Sequence, residues 1–243
     1  MSEHEISKHT KVIYKEWKNP HHTWKQKLGE IATEILIIVF AITLSLLVER
    51  WREHAHEQKI EKQFLTGLKK DLESDLEQEV EDSASYAALK TGWTYFRRLG
   101  TAKETYNEDT VKAYQWTLLN NTTFLPNNSR FEALKSSGQL SVIENDSLQN
   151  LILDLYQNKI AQLRLSSDIF TNFKNQQFIP YLLQNIPPNS DSTHFIAVVK
   201  QPVMQNYLNY STTAEEVIDR YHQLMQQSRI IINIIEEEHE LKE

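Results

Sequence analysis

The stretch Ile31–Val48, with the sequence IATEILIIVFAITLSLLV, decides how the rest of the chain is interpreted. Its last 14 residues, Ile35–Val48, carry no formal charge, and the full 18 contain one charged residue, Glu34. At about 1.5 Å per helical residue, this length spans roughly 27 Å, close to the hydrocarbon thickness of a bilayer. The run is apolar on all sides, whereas a surface helix of a soluble protein has one apolar stripe. The stretch therefore predicts a single transmembrane helix.

The residues that flank this stretch favour the same interpretation. Trp24 precedes it and Trp51 follows it, and indole rings prefer the membrane interface. Basic residues that can reach lipid headgroups lie on both sides: Lys25, Lys27, Arg50 and Arg52. A buried helix of a soluble protein is the alternative. A cleavable signal peptide is disfavoured, because its basic region would be about 30 residues long and no small-residue cleavage site follows the run.

Three residues are candidates for contacts inside the membrane. Glu34 lies about one turn inside the run, where an ionisable side chain suggests a functional contact. The alternative is that it reaches the interface or pairs with Lys27. Ala41 and Ser45 form a pair of small residues four apart, a spacing that permits close approach of a second helix.

Composition restricts the class of protein. The part after the predicted helix holds about 190 residues, enough for one domain with its own core. The whole chain has 5 glycines and 6 prolines, which favours helices over a sheet sandwich. It has no cysteine, which excludes disulfides, thiol nucleophiles and thiolate metal sites. The net charge of −7 disfavours nucleic acid as a partner.

The helical pattern continues beyond Trp51. Between Arg52 and Ser83 there is no proline and one glycine, Gly67. Apolar residues recur at spacings of three and four: Ile60, Phe64, Leu65, Leu68, Leu72, Leu76 and Val80. Because most steps are four residues, we expect a stripe that drifts around the helix, unlike a strict heptad. Seven acidic residues and no basic one lie from Asp71 to Asp82, a run typical of a solvated face.

Capping residues and glycines predict the later helix boundaries. We expect glycine stops at Gly100 and Gly138. We expect N-caps at Asn107 or Asp109, at Ser129 in a capping box with Glu132, and at Asn145 or Asp146. The helix that starts near Asn145 continues to about Phe178, and Phe195–Val199 is expected to be irregular or a short helix.

No pattern of catalytic or ligand-binding residues is found. His54 and His56 are two residues apart, so on a helix their rings point to different faces. Lys135 and Ser136 are adjacent and diverge on a helix, and there is no phosphate-binding glycine loop or nucleophile elbow. We therefore predict no catalytic residue, no cofactor and no metal site.

Two stretches resemble a known family. One is Gly29-Glu30-Ile31 with the apolar run up to Trp51 and then Phe64–Leu72. The other is Phe131–Ile143, which contains Leu-Lys-Ser-Ser-Gly, followed by Leu148 and Leu155-Tyr156. Over residues 30–156 the chain is similar to uncharacterised single-pass membrane proteins of Bacteroidetes-type bacteria. That resemblance implies an anchor and a helical domain, and no site. Glu34 and Glu49-Arg50 depart from the family, which has uncharged polar residues there, so the depth of the helix is left open.

The prediction is an all-α protein in three parts. Residues 1–27 form a basic juxtamembrane tail, 28–51 the transmembrane helix, and 52–243 a bundle of about four to five helices whose first helix continues the anchor. We expect the lipid bilayer as a partner, together with a membrane protein or a second copy of the chain. The expected function is a non-enzymatic interaction or scaffold protein, and the alternative is a ligand-binding sensor that signals through a partner. The expected location is the bacterial inner membrane, with the N-terminus cytoplasmic and the C-terminal domain periplasmic.

Overall fold

The computed structural model describes Lys11, Tyr14 and residues 24–101, 105–210 and 212–241. Every regular element in these residues is helical, which confirms the predicted all-α fold. A long helix, α1 (Trp24–Thr101), is followed by a helical domain. Most of the predicted juxtamembrane tail, residues 1–27, lies outside the described residues. Contacts divide the chain into two units, Met1–Lys62 and Gln63–Glu243, and each is described by itself.

The first unit contains the N-terminal part of α1. An 18-residue window there is long and apolar enough to cross a membrane, and none of that window is buried. Its large apolar side chains are exposed, and so are both flanking indoles, Trp24 at 69% and Trp51 at 76%. Among the residues of this unit that the structure describes, none covers the apolar surface.

The second unit contains the C-terminal part of α1 and eight further α-helices among the described residues. These are α2 (Glu108–Thr117), α3 (Ser129–Ser136), α4 (Asp146–Asp154), α5 (Ile160–Phe173), α6 (Ile179–Asn185), α7 (Ser192–Val199), α8 (Pro202–Asn209) and α9 (Thr212–Leu241). A 3₁₀ turn (Leu140–Val142) follows α3. The core lies between α1, α5 and α9, where aromatic residues of α1 meet those of the other two helices. Trp93 contacts Phe170, and Tyr86 contacts Phe170 and Tyr221.

Helix α1 buries one face at strict heptad spacing. Ten of its buried residues follow alternating steps of three and four: Leu65, Leu68, Leu72, Asp75, Glu79, Asp82, Tyr86, Leu89, Trp93 and Phe96; Phe64 and Ser83 are buried beside this row. The expected stripe is confirmed at four positions, Phe64, Leu65, Leu68 and Leu72. Its expected drift is wrong, because Val80 is 50% exposed and Asp75 and Glu79 are buried instead. The expected solvated acidic run is also wrong at three positions, since Asp75, Glu79 and Asp82 face the core. A repeat of 3.5 residues keeps one face against its neighbours over this length.

Helix α9 repeats the same spacing and runs antiparallel to α1. Its buried positions include Ala214, Val217, Tyr221, Leu224, Ser228, Ile231 and Ile235. Two ion pairs set the register, Lys69 with Glu236 at 2.7 Å and Lys90 with Glu215 at 2.8 Å. The two pairs are 21 residues apart on each helix, which is three heptads. Helix α9 also packs along α5.

The helix that starts near Asn145 is longer than predicted and contains two π-helical turns. It runs from Asp146 through α4, α5 and α6 to Asn185, with π turns at Leu155–Lys159 and Lys174–Phe178. Pro180 lies just after the second π turn, and its ring nitrogen has no N–H to donate to the preceding helical turn. A π turn inserts a residue and rotates the helix that follows. The second one begins at Lys174, whose side chain is fully buried.

Some predicted helix ends are confirmed and others are wrong. Asn107 and Asn145 are N-caps, and their side chains accept hydrogen bonds from Thr110 N and Leu148 N at 3.0 Å. Gly138 has a positive φ of 72° and follows α3, as expected of a glycine stop. Gly100 lies inside α1, which ends one residue later, at Thr101, and the Gln205 side chain packs where a Cβ of residue 100 would lie.

Two further predictions concern Ser129 and the segment Phe195–Val199. Ser129 is not an N-cap, because α3 already begins there and the cap residue is Asn128, whose side chain makes no capping bond. The Glu132 carboxylate forms an ion pair with Lys135, with Oε2 at 4.0 Å from Nζ. Phe195–Val199 lies within helix α7, and a short helix was one of the two structures expected for this segment.

Candidate functional site: a buried acidic layer and its strap

Three carboxylates on the buried face of α1 form a compact polar layer inside an apolar core. Asp75, Glu79 and Asp82 are 2%, 1% and 6% exposed, and we call them the acidic layer. Because they are four and three residues apart, they lie on one face of the helix. Buried carboxylates are rare unless donors satisfy them, so the partners of each one define the site.

A non-helical segment covers this face of α1. Residues 120–128, between α2 and α3, contain no helix and are here called the strap. Asn127, in the strap, donates its backbone N–H to Asp75, with N at 3.1 Å from both carboxylate oxygens. The Asn127 side-chain amide donates a further bond to Asp75 Oδ1 at 2.8 Å. Burial raises the pKa of Asp75, and these bonds from Asn127 oppose the rise.

Asp82 is held by one strap residue and one residue of α9. The Thr122 hydroxyl in the strap donates to Asp82 Oδ1, and the Tyr221 hydroxyl on α9 donates to Oδ2 at 3.2 Å. Gln78, one turn before Asp82, donates its amide to the strap carbonyl of Thr123 at 3.2 Å. Burial raises the pKa of Tyr221 and the neighbouring Asp82 charge raises it further, so Tyr221 acts as a donor here.

Glu79 is the member of the layer that lacks a full set of partners. Its Oε2 atom is buried and has no hydrogen-bond partner among the described residues. Burial raises the pKa of Glu79 to about 8, and the charges of Asp75 and Asp82 act in the same direction. Arg229 of α9 opposes this rise. The raised pKa favours the protonated form of Glu79 at neutral pH, between two hydrogen-bonded carboxylates.

The strap has additional attachments on both sides of the layer. Phe124 is 8% exposed and its ring meets that of Tyr221 edge-on, with centroids 6.3 Å apart. Tyr156, in the first π turn, donates a hydrogen bond to the Asn127 carbonyl at 3.4 Å. The Tyr156 ring also stacks on Phe131 of α3 at 4.4 Å, which places the Leu-Lys-Ser-Ser-Gly helix next to the strap.

A buried lysine lies at the other end of the strap. The Lys174 side chain is 0% exposed, and its ammonium donates to the backbone carbonyl of Asn120. It also lies 5.9 Å from the ring centroid of Phe170. Burial alone lowers the pKa of Lys174 to about 8. The strap thus contacts a buried cation, Lys174, through Asn120 and contacts the acidic layer through Thr122 and Asn127.

Two small cavities adjoin the strap. One of about 230 Å³ is lined by Ser85, Tyr86, Leu89, Asn120, Asn121, Thr122 and Phe170. The other, of about 200 Å³, is lined by Thr123, Phe124, Leu125, Ile160, Leu163, Arg164, Ser167, Asp168 and Thr171. The Tyr86 hydroxyl belongs to the first cavity and interacts with Ser167 and Thr171 of the second. The strap therefore contributes to the walls of both.

The residues predicted to make intramembrane contacts lie on α1 in the first unit. Glu34, Ala41 and Ser45 are seven and four residues apart, so they share one face of that helix. Ser45 donates its hydroxyl to the Ala41 carbonyl at 2.8 Å, within the helix. The acidic layer and Lys174 were not among the predicted site residues. The heptad spacing of the acids on α1 is the signal that identifies the layer.

Metal binding is not indicated by the part of the chain that the structure describes. It contains no group of three or more histidine, aspartate or glutamate side chains arranged to hold a metal ion. His54 lies 3.1 Å from the Gln58 amide, one helical turn away. Ser136 and Ser137 donate their hydroxyls to the carbonyls of Ala133 and Leu134 in their own helix. The site is thus a cluster of titratable groups that holds a loop.

Comparisons with protein-family models, with curated proteins and with solved structures gave no match for this chain.

Proposed function

We propose that this protein is a membrane-anchored, non-enzymatic interaction or scaffold protein. Residues 28–51 cross the bacterial inner membrane, with the N-terminus in the cytoplasm and the helical domain in the periplasm. The observation that supports an anchor is the uncovered apolar surface of α1, where the 18-residue window is 0% buried. A soluble protein would hide such a surface in its core.

The hydroxyl groups of the anchor also fit a lipid environment. Thr33, Thr43 and Ser45 each donate to the backbone carbonyl four residues earlier, at 2.9, 2.8 and 2.8 Å. A hydroxyl in hydrocarbon needs such a partner, because no water is present to accept its hydrogen bond. Trp24 and Trp51 lie at the two ends of the run, as interfacial anchors do.

The helical domain offers apolar surface to a partner. Leu165 and Ile169 are one turn apart on α5 and are 62% and 47% exposed. Exposed leucine and isoleucine in adjacent turns form a continuous apolar surface, which is the usual basis of contact between helical proteins. A membrane protein or a second copy of this chain would supply the opposing surface.

The test is purification of the full chain in a mild detergent from its own membranes. We expect a complex larger than the monomer, seen by light scattering, with a partner or a second copy in fixed ratio. Leu165→Glu combined with Ile169→Glu should release that partner. Leu183→Glu, which changes a leucine exposed at 72% on α6, is the matched control and should retain it. Recovery of the monomer alone would contradict the proposal.

The two cavities beside the strap favour a second candidate function, a membrane-anchored sensor that binds a small ligand. Cavities of about 230 and 200 Å³ approach the size of small-molecule sites. A ligand that binds only the folded state raises the unfolding temperature. Thermal-shift screening of the full chain in detergent distinguishes this candidate, since a scaffold protein should show no compound-specific shift.

A further inference from the structure

We propose that the strap is a pH-dependent latch, which is closed on α1 while Glu79 is protonated and opens when Glu79 ionises. The geometry points to this role because Glu79 lies between the two carboxylates that hold the strap. Asp75 holds Asn127 and Asp82 holds Thr122, while Gln78 holds the Thr123 carbonyl. The proposal requires neither a membrane nor a partner, so it is independent of the proposed function.

Ionisation of Glu79 would leave a buried charge without enough donors. Oε2 has no hydrogen-bond partner among the described residues, and every donor that the strap directs at the layer is bound to Asp75 or Asp82. A buried carboxylate without donors is strongly disfavoured and draws in water. Water reaches the layer only if an element that covers it moves.

The titratable and charged groups around Glu79 lie on four elements. On α1 itself these are Asp75 and Asp82, and α9 contributes Arg229 and the Tyr221 hydroxyl. The Tyr156 hydroxyl of the first π turn also faces Glu79, and Arg130 of α3 is engaged by Asp71 at 2.9 Å. Of the described charges that act on Glu79, one is a cation, Arg229, and it opposes three carboxylates when Glu79 ionises. The raised pKa of Glu79, about 8, is consistent with this balance.

The strap is the element expected to move. It is held to α1 mainly by hydrogen bonds to carboxylates and has one buried apolar side chain, Phe124. Helix α9 buries a whole heptad face instead, including Val217, Leu224 and Ile231. Displacing α9 would expose that whole face. Displacing the strap would expose one apolar side chain, Phe124, and would break the polar contacts that the strap makes with the acidic layer, Tyr156 and Lys174.

Pulsed electron spin resonance on the full chain in detergent tests the latch. The chain has no cysteine, so two introduced cysteines label uniquely. One pair, Leu125→Cys with Leu165→Cys, measures the distance from the strap to α5, and both positions are exposed, at 71% and 62%. A second pair, Val80→Cys with Leu165→Cys, measures the distance from α1 to α5, which increases if the whole core opens.

We expect one narrow strap distance at pH 6.5 and a second, longer population at pH 9.5. From a pKa of about 8, the open fraction should rise from below about 10% to above about 90%. Glu79→Gln should keep the narrow distance at both pH values. Glu77→Gln is the matched control, because Glu77 is exposed on the same helix, and should behave as the unchanged protein.

Three results would overturn the latch. The first is a strap distance that is the same at pH 6.5 and 9.5, and the second is a change that persists in Glu79→Gln. The third is a simultaneous change in the Val80–Leu165 distance, which would show unfolding of the core instead of release of the strap. Should Glu79→Gln not fold, Glu79→Leu provides the same non-titrating test.

Discussion

The Asp75 carboxylate accepts three contacts from a single residue, Asn127, which lies 52 positions later in the chain. The donors are one backbone N–H, shared between the two oxygens at 3.1 Å, and one side-chain amide at 2.8 Å. Hydrogen bonds to a charged, buried acceptor contribute more to stability than neutral ones. The pair therefore joins the strap to the core at one point.

Asn127→Ala should lower the free energy of unfolding by about 1 to 3 kcal/mol, because Asp75 loses a charge-assisted bond while remaining buried. Urea unfolding of the full chain in detergent, followed by circular dichroism, measures this change. Asn128→Ala is the matched control, because the Asn128 side chain makes no capping bond, and it should change stability by less than about 0.5 kcal/mol. Equal effects of the two substitutions would show that the bond from Asn127 to Asp75 contributes little.

Glu79 should make the domain less stable as the pH rises from 4.5 to about 8. In this range the folded state keeps the Glu79 proton and the unfolded state has lost it. The contribution of Glu79 to stability is therefore complete below pH 4.5 and is lost as the pH rises to the folded pKa. The shift corresponds to a loss on the order of 3 to 5 kcal/mol across the window. Asp75, whose pKa is also raised by burial, adds to the same slope.

The measurement is the urea midpoint of the full chain at several pH values between 4.5 and 9. Glu79→Gln should flatten the slope, whereas Glu77→Gln should leave it as in the unchanged chain. A slope that survives in Glu79→Gln would assign the pH dependence to other groups.

Lys174 should act in the opposite direction above pH 8. Burial lowers its pKa from 10.5 to about 8, so in this range the unfolded state binds a proton that the folded state does not. The free energy of unfolding should therefore rise with pH between about 8 and 10.5. Lys174→Met should remove this rise in a urea titration series, while Lys200→Met, at an exposed position, should keep it. Persistence of the rise in Lys174→Met would contradict the role given to the buried ammonium.

The sequence predicted helices well because their local signals are strong. Asn107 and Asn145 cap helices through their side chains, and Gly138 takes the positive φ that few other residues adopt easily. Ser129 failed as a cap because Asn128 precedes it directly, and two adjacent polar residues give no local reason to choose between them. The helix stop predicted at Gly100 was wrong. This glycine allows the Gln205 side chain to pack closely against α1, a contact that depends on tertiary structure.

The acidic layer was missed because polarity was treated as evidence of exposure. On α1, the apolar residues Leu76 and Val80 were assigned to the buried stripe, although the heptad spacing from Leu72 selects Asp75 and Glu79. The donors that satisfy Asp75 and Asp82 come from distant parts of the chain: the strap lies some 40 to 50 residues away, and Tyr221 lies further still. The π turns were missed for a related reason, since no local motif distinguishes Lys174 from a solvent-exposed lysine.

The central claim, that α1 anchors the protein in a membrane, is tested most directly by alkaline carbonate extraction of cell membranes. We expect the full chain to remain in the membrane pellet, because a spanning helix is held by apolar burial that high pH does not reverse. Phe40→Arg, in the middle of the apolar run, should shift the chain towards the supernatant, and Val80→Arg should not. Recovery of the unchanged chain in the carbonate supernatant would contradict the anchor.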